Sequence, residues 1–314
     1  MPSSLAIRRS RIGSSSSSEK TTSLLEPQPI LTFAKLTMWE ASRRKLLIAV
    51  AVLTLVVVGA TGWAFFQLRY SNGPGGGPEV GEVALRVLAA QVLIVVAFLF
   101  SAVLALMSVL VAAPTISGDV ESNLALGLLA RPVRRSEYVL GRWLGLAALV
   151  VLYAAGSAIL ELIVVDWATG YVPPHPIELI VYVAGVGLVL LTLALLLSTR
   201  LAGMAAGFIP LTCYFMAWVG GILGGAGEAI GNQELIATGV VSKLLLPTDG
   251  LWRAAVYAME PASLVATYRA AGSAIAAFPF AATDGPPLPF LVWVIVWFAA
   301  MIGLTLWSFR RREI

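Results

Sequence analysis

Residues able to do chemistry are few in this chain, and their spacing excludes most of it. There is one histidine, His175, in the loop Pro173-Pro174-His175-Pro176, and one cysteine, Cys213, inside an apolar run. A lone His without neighbouring Cys or Asp makes a poor metal site, and a histidine dyad needs a second ring. Cys213 can close no disulfide within the chain and reads as a packing residue. Of the four lysines, none stands in a Gly-x-x-x-x-Gly-Lys-Ser/Thr phosphate loop. The cluster Gly73-Pro74-Gly75-Gly76-Gly77-Pro78 precedes no phosphate-binding helix and reads as a turn. Glu161, Asp166 and Glu178 fall near the ends of apolar runs, where they read as headgroup-level helix-end charges. The expectation is therefore no catalytic site, no metal site, no bound cofactor and no enzymatic activity in this chain.

One stretch does combine charge, cap and apolar face. It runs from Pro114 through Ser117-Gly118-Asp119-Val120-Glu121-Ser122-Asn123-Leu124 to Leu128-Leu129-Ala130-Arg131-Pro132-Val133-Arg134-Arg135. Pro114 is expected to end the preceding apolar run. Ser117 or Asp119 can then cap a new helix whose first turn carries acids, favourable against the helix dipole. Val120, Leu124 and Leu128 fall at i, i+4 and i+8, so one face is apolar. Pro132 stops the helix, and Arg131, Arg134 and Arg135 place the loop at a membrane surface. Such an element fits a groove on a soluble partner; the plainer alternative is a basic loop that only marks topology.

The elements that position this stretch are read from hydropathy. The 314 residues are 59% hydrophobic and 12% charged, with mean hydropathy +0.88, about half the charged fraction of a soluble domain. The net charge of +4 is spread over the loops rather than gathered in a stripe, which argues against nucleic acid. Six runs reach the about 20 residues that cross a bilayer: 46–66, 87–113, 138–165, 177–198, 203–225 and 290–309. Backbone groups in lipid must be satisfied within a segment, so the fold class is all-α and polytopic, with six transmembrane helices. With the N-terminus inside, the outer face receives only Arg69, Arg86, Lys243, Arg253 and Arg269 of the 21 Lys and Arg residues. That bias makes both termini cytoplasmic.

Pro261 to Ala281 is apolar enough to tempt a seventh helix, but Arg269 near its centre would cost about 2.5–3.5 kcal/mol. Residues 228–289 are instead expected to form outer re-entrant or interfacial helices broken at Pro247, Pro261 and Pro279. Residues 1–29, with the serine run 14–18, read as a disordered cytoplasmic tail. Residues 30–45 carry an apolar arc at Leu31, Ala34, Met38 and Ala41 and read as an interfacial amphipathic helix, or else as an extension of the first span. Residues 46–314 form the six-helix domain, with 114–137 its inner elbow. Gly141/Gly145, Gly203/Gly207 and Gly220/Gly224 mark places of close helix approach.

The elbow resembles the inner loop of ABC-2-type transporter permeases, the membrane subunits of ATP-binding-cassette exporters. The resemblance rests on Ser117 to Ser122, Leu128 to Arg135 and Gly141-Arg142. It extends to Arg43-Arg44-Lys45 before the first span and to Leu246-Pro247-Thr248-Asp249 with Trp252-Arg253 after the fifth. The family commonly has Gly-Thr where this chain has Asn123-Leu124, and often Lys at the position of Arg142. What the resemblance implies is a plasma-membrane permease that lines a translocation path within membrane lipid. It would pair with a second copy or a related permease and be driven by partner ATPase subunits that bind ATP and Mg. The equivalent of the elbow would be the coupling helix. Asp119, Glu121, Leu124 and Leu128 would dock on the ATPase, and Arg131, Arg134 and Arg135 would orient the loop. The competing reading is a self-sufficient secondary transporter or channel, which needs intramembrane polar sites and often internal repeats.

Overall fold

The computed structural model describes residues 29–42, 45–71, 81–121 and 134–311. Among them every element is helical: α1 (Pro29–Ser42), α2 (Lys45–Ser71), α3 (Glu82–Glu121), α4 (Arg135–Thr169), α5 (Pro176–Ser198), α6 (Gly203–Ile230), α7 (Gln233–Leu245), α8 (Thr248–Met259), α9 (Ala262–Ala271) with a 3-10 turn (Gly272–Ile275), and α10 (Leu288–Arg310). Six of these, α2 to α6 and α10, are long and apolar enough to cross a membrane. The chain is an all-α, multi-pass membrane protein. The expected tail 1–29, apart from Pro29, and the glycine cluster 73–78 lie outside the described residues.

Helices α3 and α5 form the centre, with Leu104, Ala112, Val189, Leu190, Leu191 and Ala194 almost wholly buried. The other spans pack around them and turn Val52, Leu55, Trp63, Leu152, Phe215 and Ile295 outward. Such exposure is what a hydrocarbon solvent permits.

Two prolines stand inside spans. The expectation that Pro114 ends its helix is corrected here: α3 continues through it to Glu121. The proline deprives the Leu110 carbonyl of its usual amide donor, and side-chain hydroxyls reinforce the turn around it. The hydroxyls of Thr115 and Ser117 donate to the Val111 and Ala113 carbonyls at 2.7 and 3.1 Å. Pro114 also packs on Gly203, where α6 begins. Pro210 likewise stands inside α6 without ending it.

The outer region is a re-entrant hairpin. Gly231 adopts φ +71°, closing α6, and Asn232 caps α7 by accepting from the Glu234 and Leu235 amides at 2.9 and 3.2 Å. The chain thereby reverses in two residues, and α7 descends along α6. A Cβ on Gly224 would lie 2.8 Å from Gly239 Cα, and one on Gly220 would lie 2.6 Å from Ser242 Cβ. Pro247 turns the chain into α8, which climbs back beside α5, with Leu251 against Gly185. At its top, Tyr171 Oη donates to the Met259 carbonyl at 2.5 Å. The C-terminal end of α7 leaves carbonyls that no later turn of that helix can satisfy. Trp293 and Trp297 of α10 supply the donors, to Leu244 O at 3.1 Å and Leu245 O at 2.9 Å. Residues 261–281 do not span: α9 has 10 residues and ends at Gly272, φ +65°. The expected breaks at Pro247 and Pro261 fall at the starts of α8 and α9.

The three glycine pairs mark close approaches within this one chain. Gly141 and Gly145 on α4 receive α1, with imagined Cβ atoms 2.5 Å from Phe33 Cβ and 2.5 Å from Ala34 O. Gly203 and Gly207 face Pro114 and Ala113 of α3, and Gly220 and Gly224 face α7. The face by which α1 docks differs from the expected arc. Thr37 and Ala41 are buried and Phe33 and Ala34 partly so, whereas Leu31 and Met38 are exposed with Leu36 and Trp39. Gly141 and Gly145 on α4 admit the α1 backbone closely at Phe33, Ala34 and Thr37.

Candidate functional site

The elbow is built from the inner ends of α3 and α4. Both helices reach that end through apolar contact: Ile116, Tyr138, Val139, Leu195 and Phe309 form a buried cluster joining α3, α4, α5 and α10. Phe33 of α1 meets the Tyr138 ring edge-on at 5.7 Å, and Phe309 of α10 stacks on it at 5.7 Å. Tyr138 is thus the hub of the inner face.

Its hydroxyl donates to Asp119 Oδ2. The same carboxylate oxygen accepts from Arg142 Nη2, one helical turn further along α4. Arg142 Nη1 donates to Glu40 Oε2 of α1 at 2.9 Å and to Thr37 Oγ1 at 3.4 Å, and its guanidinium lies 5.6 Å from the Tyr138 ring centre. The Asp119 and Arg142 side chains are only 13% and 12% exposed. Exclusion of water strengthens this charge-assisted set beyond a surface ion pair, and removing one member would leave a buried charge uncompensated. The arrangement is a tie between α1, α3 and α4.

The expected docking residues therefore divide. Asp119 is turned into the chain, holding Tyr138 and Arg142 rather than facing outward. Glu121 is the last helical residue of α3. Leu124, Leu128 and Arg131 lie outside the described residues. Arg134 is exposed and precedes α4; its backbone N–H donates to Glu137 Oε2 at 3.0 Å, satisfying one of the free donors of that terminus. Arg135 Nη1 donates to the Arg310 carbonyl at 3.3 Å, where the last span ends. The loop between α5 and α6 is bound to the same end: Arg200 donates to Ser308 Oγ and Ser308 O, both at 3.0 Å.

Tyr138, Arg142, Glu40 and Thr37 did not stand out as site residues in the sequence. A signal existed for the first two. Tyr138 and Arg142 are four apart, so they share one helix face, opposite an acid at the end of the preceding helix. Glu40 and Thr37 become legible only once α1 is known to dock on Gly141 and Gly145.

Glu161 corrects an expectation. It is not a headgroup-level charge: it is 1% exposed, eight residues from the end of α4, or about 12 Å into the span. It abuts a small cavity lined by Leu93, Ala97, Ser157 and Leu179. Its helix face, which hydropathy does not reveal, points to α3 and α5. Asp166 and Glu178 are exposed, near the end of α4 and the start of α5. His175 stacks against Tyr257 with centroids 6.4 Å apart, and its Nδ1 lies 3.5 Å from Glu178 Oε1. Cys213 is a free thiol packed against the main core. Compared with models of known protein families and with curated proteins, the chain matches none.

Proposed function

We propose that this chain is the permease subunit of an ATP-driven transporter of the ABC exporter type. It sits in the plasma membrane, forms the translocation path with a second copy or a related permease, and is worked by separate ATPase subunits that bind ATP and Mg. The observation that carries this reading is the tie at the inner face. Residues 122–133 join two helix ends that Asp119 and Arg142 clamp together, and Glu40 extends the clamp to α1. A partner pressing on that segment would move three helices as one body. α3, of 40 residues and about 60 Å, and α4, of 35, would carry the displacement across the hydrocarbon of about 30 Å. In this reading Leu124 and Leu128 meet the ATPase with Glu121 and Arg131 beside them, and Arg134 and Arg135 hold the loop to the surface. Asp119 acts one step behind, keeping α3 attached to α4. The chain supplies the lever, and hydrolysis belongs to the partner.

The test is reconstitution with the ATPase subunit. Leu124→Asp should insert normally in the membrane yet abolish stimulation of ATP hydrolysis by the permease. Unchanged coupling in that variant would overturn the docking role of this segment. ATP-independent transport by the purified chain alone in liposomes would favour the competing secondary transporter.

A further inference from the structure

A second polar feature lies at the opposite face and plays no part in the elbow. The hairpin α7–α8, the outer half of α6, and the stretch 269–284 enclose a cavity of about 600 Å³, within the range of small-ligand sites. Gly221, Gly225, Lys243, Arg253, Ser273 and Ala276 are among its lining residues. Its mouth carries the exposed Glu228 and the ion pair Arg269–Asp284 at 3.0 Å.

Lys243 is the anomaly. It follows Ser242, which packs on Gly220, so it stands about 15 Å below the start of α7 at the outer end. At that depth an ionisable group needs a partner or a water-filled space. Its ammonium has neither a hydrogen bond nor an ion pair among the described residues. Arg253, by contrast, is fully fixed: Nε to Asp249 Oδ2 at 3.3 Å, Nη1 to Ala276 O at 3.0 Å and Nη2 to Gly221 O at 3.2 Å. Asp249 is the one carboxylate between the two cations, and its side chain is 1% exposed. Around the cavity Arg253 is paired with Asp249 and Arg269 with Asp284, so Lys243 is the lining cation left without a bonded carboxylate among the described residues, above a rigid guanidinium. Glycine and alanine walls leave room for a compact polar group and offer little apolar surface for an acyl chain.

We propose that this cavity binds an oxyanion arriving from the outer side, with Lys243 as the contacting cation and Arg253 as a fixed positive floor. The oxyanion is a phosphate, either free in solution or carried by a lipid headgroup of the outer leaflet. The full-length chain, purified in a neutral detergent, is titrated calorimetrically with inorganic phosphate and with dihexanoyl phosphatidic acid. Lys243→Gln should weaken binding about tenfold or more, and Lys243→Arg should keep it within about threefold, as loss and retention of a charge-assisted contact require. Glu228→Gln should tighten it about twofold by removing a negative charge from the mouth, an effect that a purely structural residue would not produce. Binding of both probes supports a free oxyanion, and binding of the phosphatidic acid alone supports a headgroup. Absence of binding by either, or equal affinities for wild type and Lys243→Gln, would overturn the site. Because the readout is binding to the isolated chain, its failure would leave the coupling role of the elbow standing, and the reverse holds.

Discussion

At the scale of single residues, this chain places polar groups where water is scarce and holds many of them with a donor or acceptor of its own, as the Tyr171 and Trp297 bonds to backbone carbonyls show. Glu260 makes the point outside the spans. It sits where α8 gives way to α9, is 2% exposed, and accepts from the Ala282 amide at 3.2 Å. Burial pushes its carboxyl up from 4.5 to about 8, and the single amide donor only partly offsets that. Tyr171 and Tyr268 face it, and its negative charge raises both phenols further. The sign follows directly. A raised acid keeps its proton in the native state over a range where the unfolded chain has released it. The stabilisation is complete below about pH 4.5 and disappears as pH rises through about 8. The melting temperature of the purified chain should therefore fall between about pH 5 and pH 9. Glu260→Gln, which keeps the acceptor for Ala282, should remove that part of the slope. An unchanged slope in the variant would place the titrating group elsewhere.

At the scale of elements, the fold is assembled by glycine faces and satisfied helix ends. The docking of α1 depends on Gly141 and Gly145, over which its backbone passes too closely for any side chain. Gly145→Leu would collide with the Ala34 carbonyl and Thr37, forcing α1 away and separating Glu40 from Arg142. Overpacking of this kind costs about 1–3 kcal/mol. The expected outcome is faster proteolytic cleavage within residues 29–45 and altered Trp39 emission, with the six spans still inserted. Equal protection in wild type and variant would show that α1 is held by something else. How much of this was legible follows from the same physics. Hydropathy located all six spans, the inner end of α3 beyond Pro114 being the main departure, because a bilayer demands length and apolarity of every crossing. The glycine pairs were legible as close approaches, but not their partners, since spacing says which face is flat and not what lies on it. Pro114 misled because proline ends helices in water, whereas a lipid-embedded helix continues past it. Re-entrant or interfacial helices were expected over 228–289, but not which polar residues of α7 and α8 they would carry inward. Ser242, Lys243 and Arg253 look like surface residues in sequence, and only a polar cavity inside the outer half explains their depth. At the elbow, the acids and arginines were visible, but Asp119 turned out to bind its own chain, a choice made by Tyr138 and Arg142 from the next helix.

At the scale of the molecule, an even number of crossings is required by the contacts themselves. Phe33 near the start and Phe309 near the end meet on the same Tyr138, so both ends of the described chain lie on one face. A seventh crossing through residues 261–281 would separate them by a membrane thickness. Which face is cytoplasmic follows from the Lys and Arg distribution, and this can be tested in cells. With Cys213 as the chain's single cysteine, Cys213→Ser gives a thiol-free background. Into it are placed Lys35→Cys, on the exposed side of α1, and Asp284→Cys, at the outer cavity mouth, where the native side chain is 74% exposed. A membrane-impermeant maleimide should label Asp284→Cys in intact cells and Lys35→Cys only after permeabilisation. Labelling of both from the same side would break the six-span topology. Labelling with the two sides exchanged would keep the fold but invert it, and the elbow would then face away from any cytosolic ATPase, so the docking role would fall with the orientation.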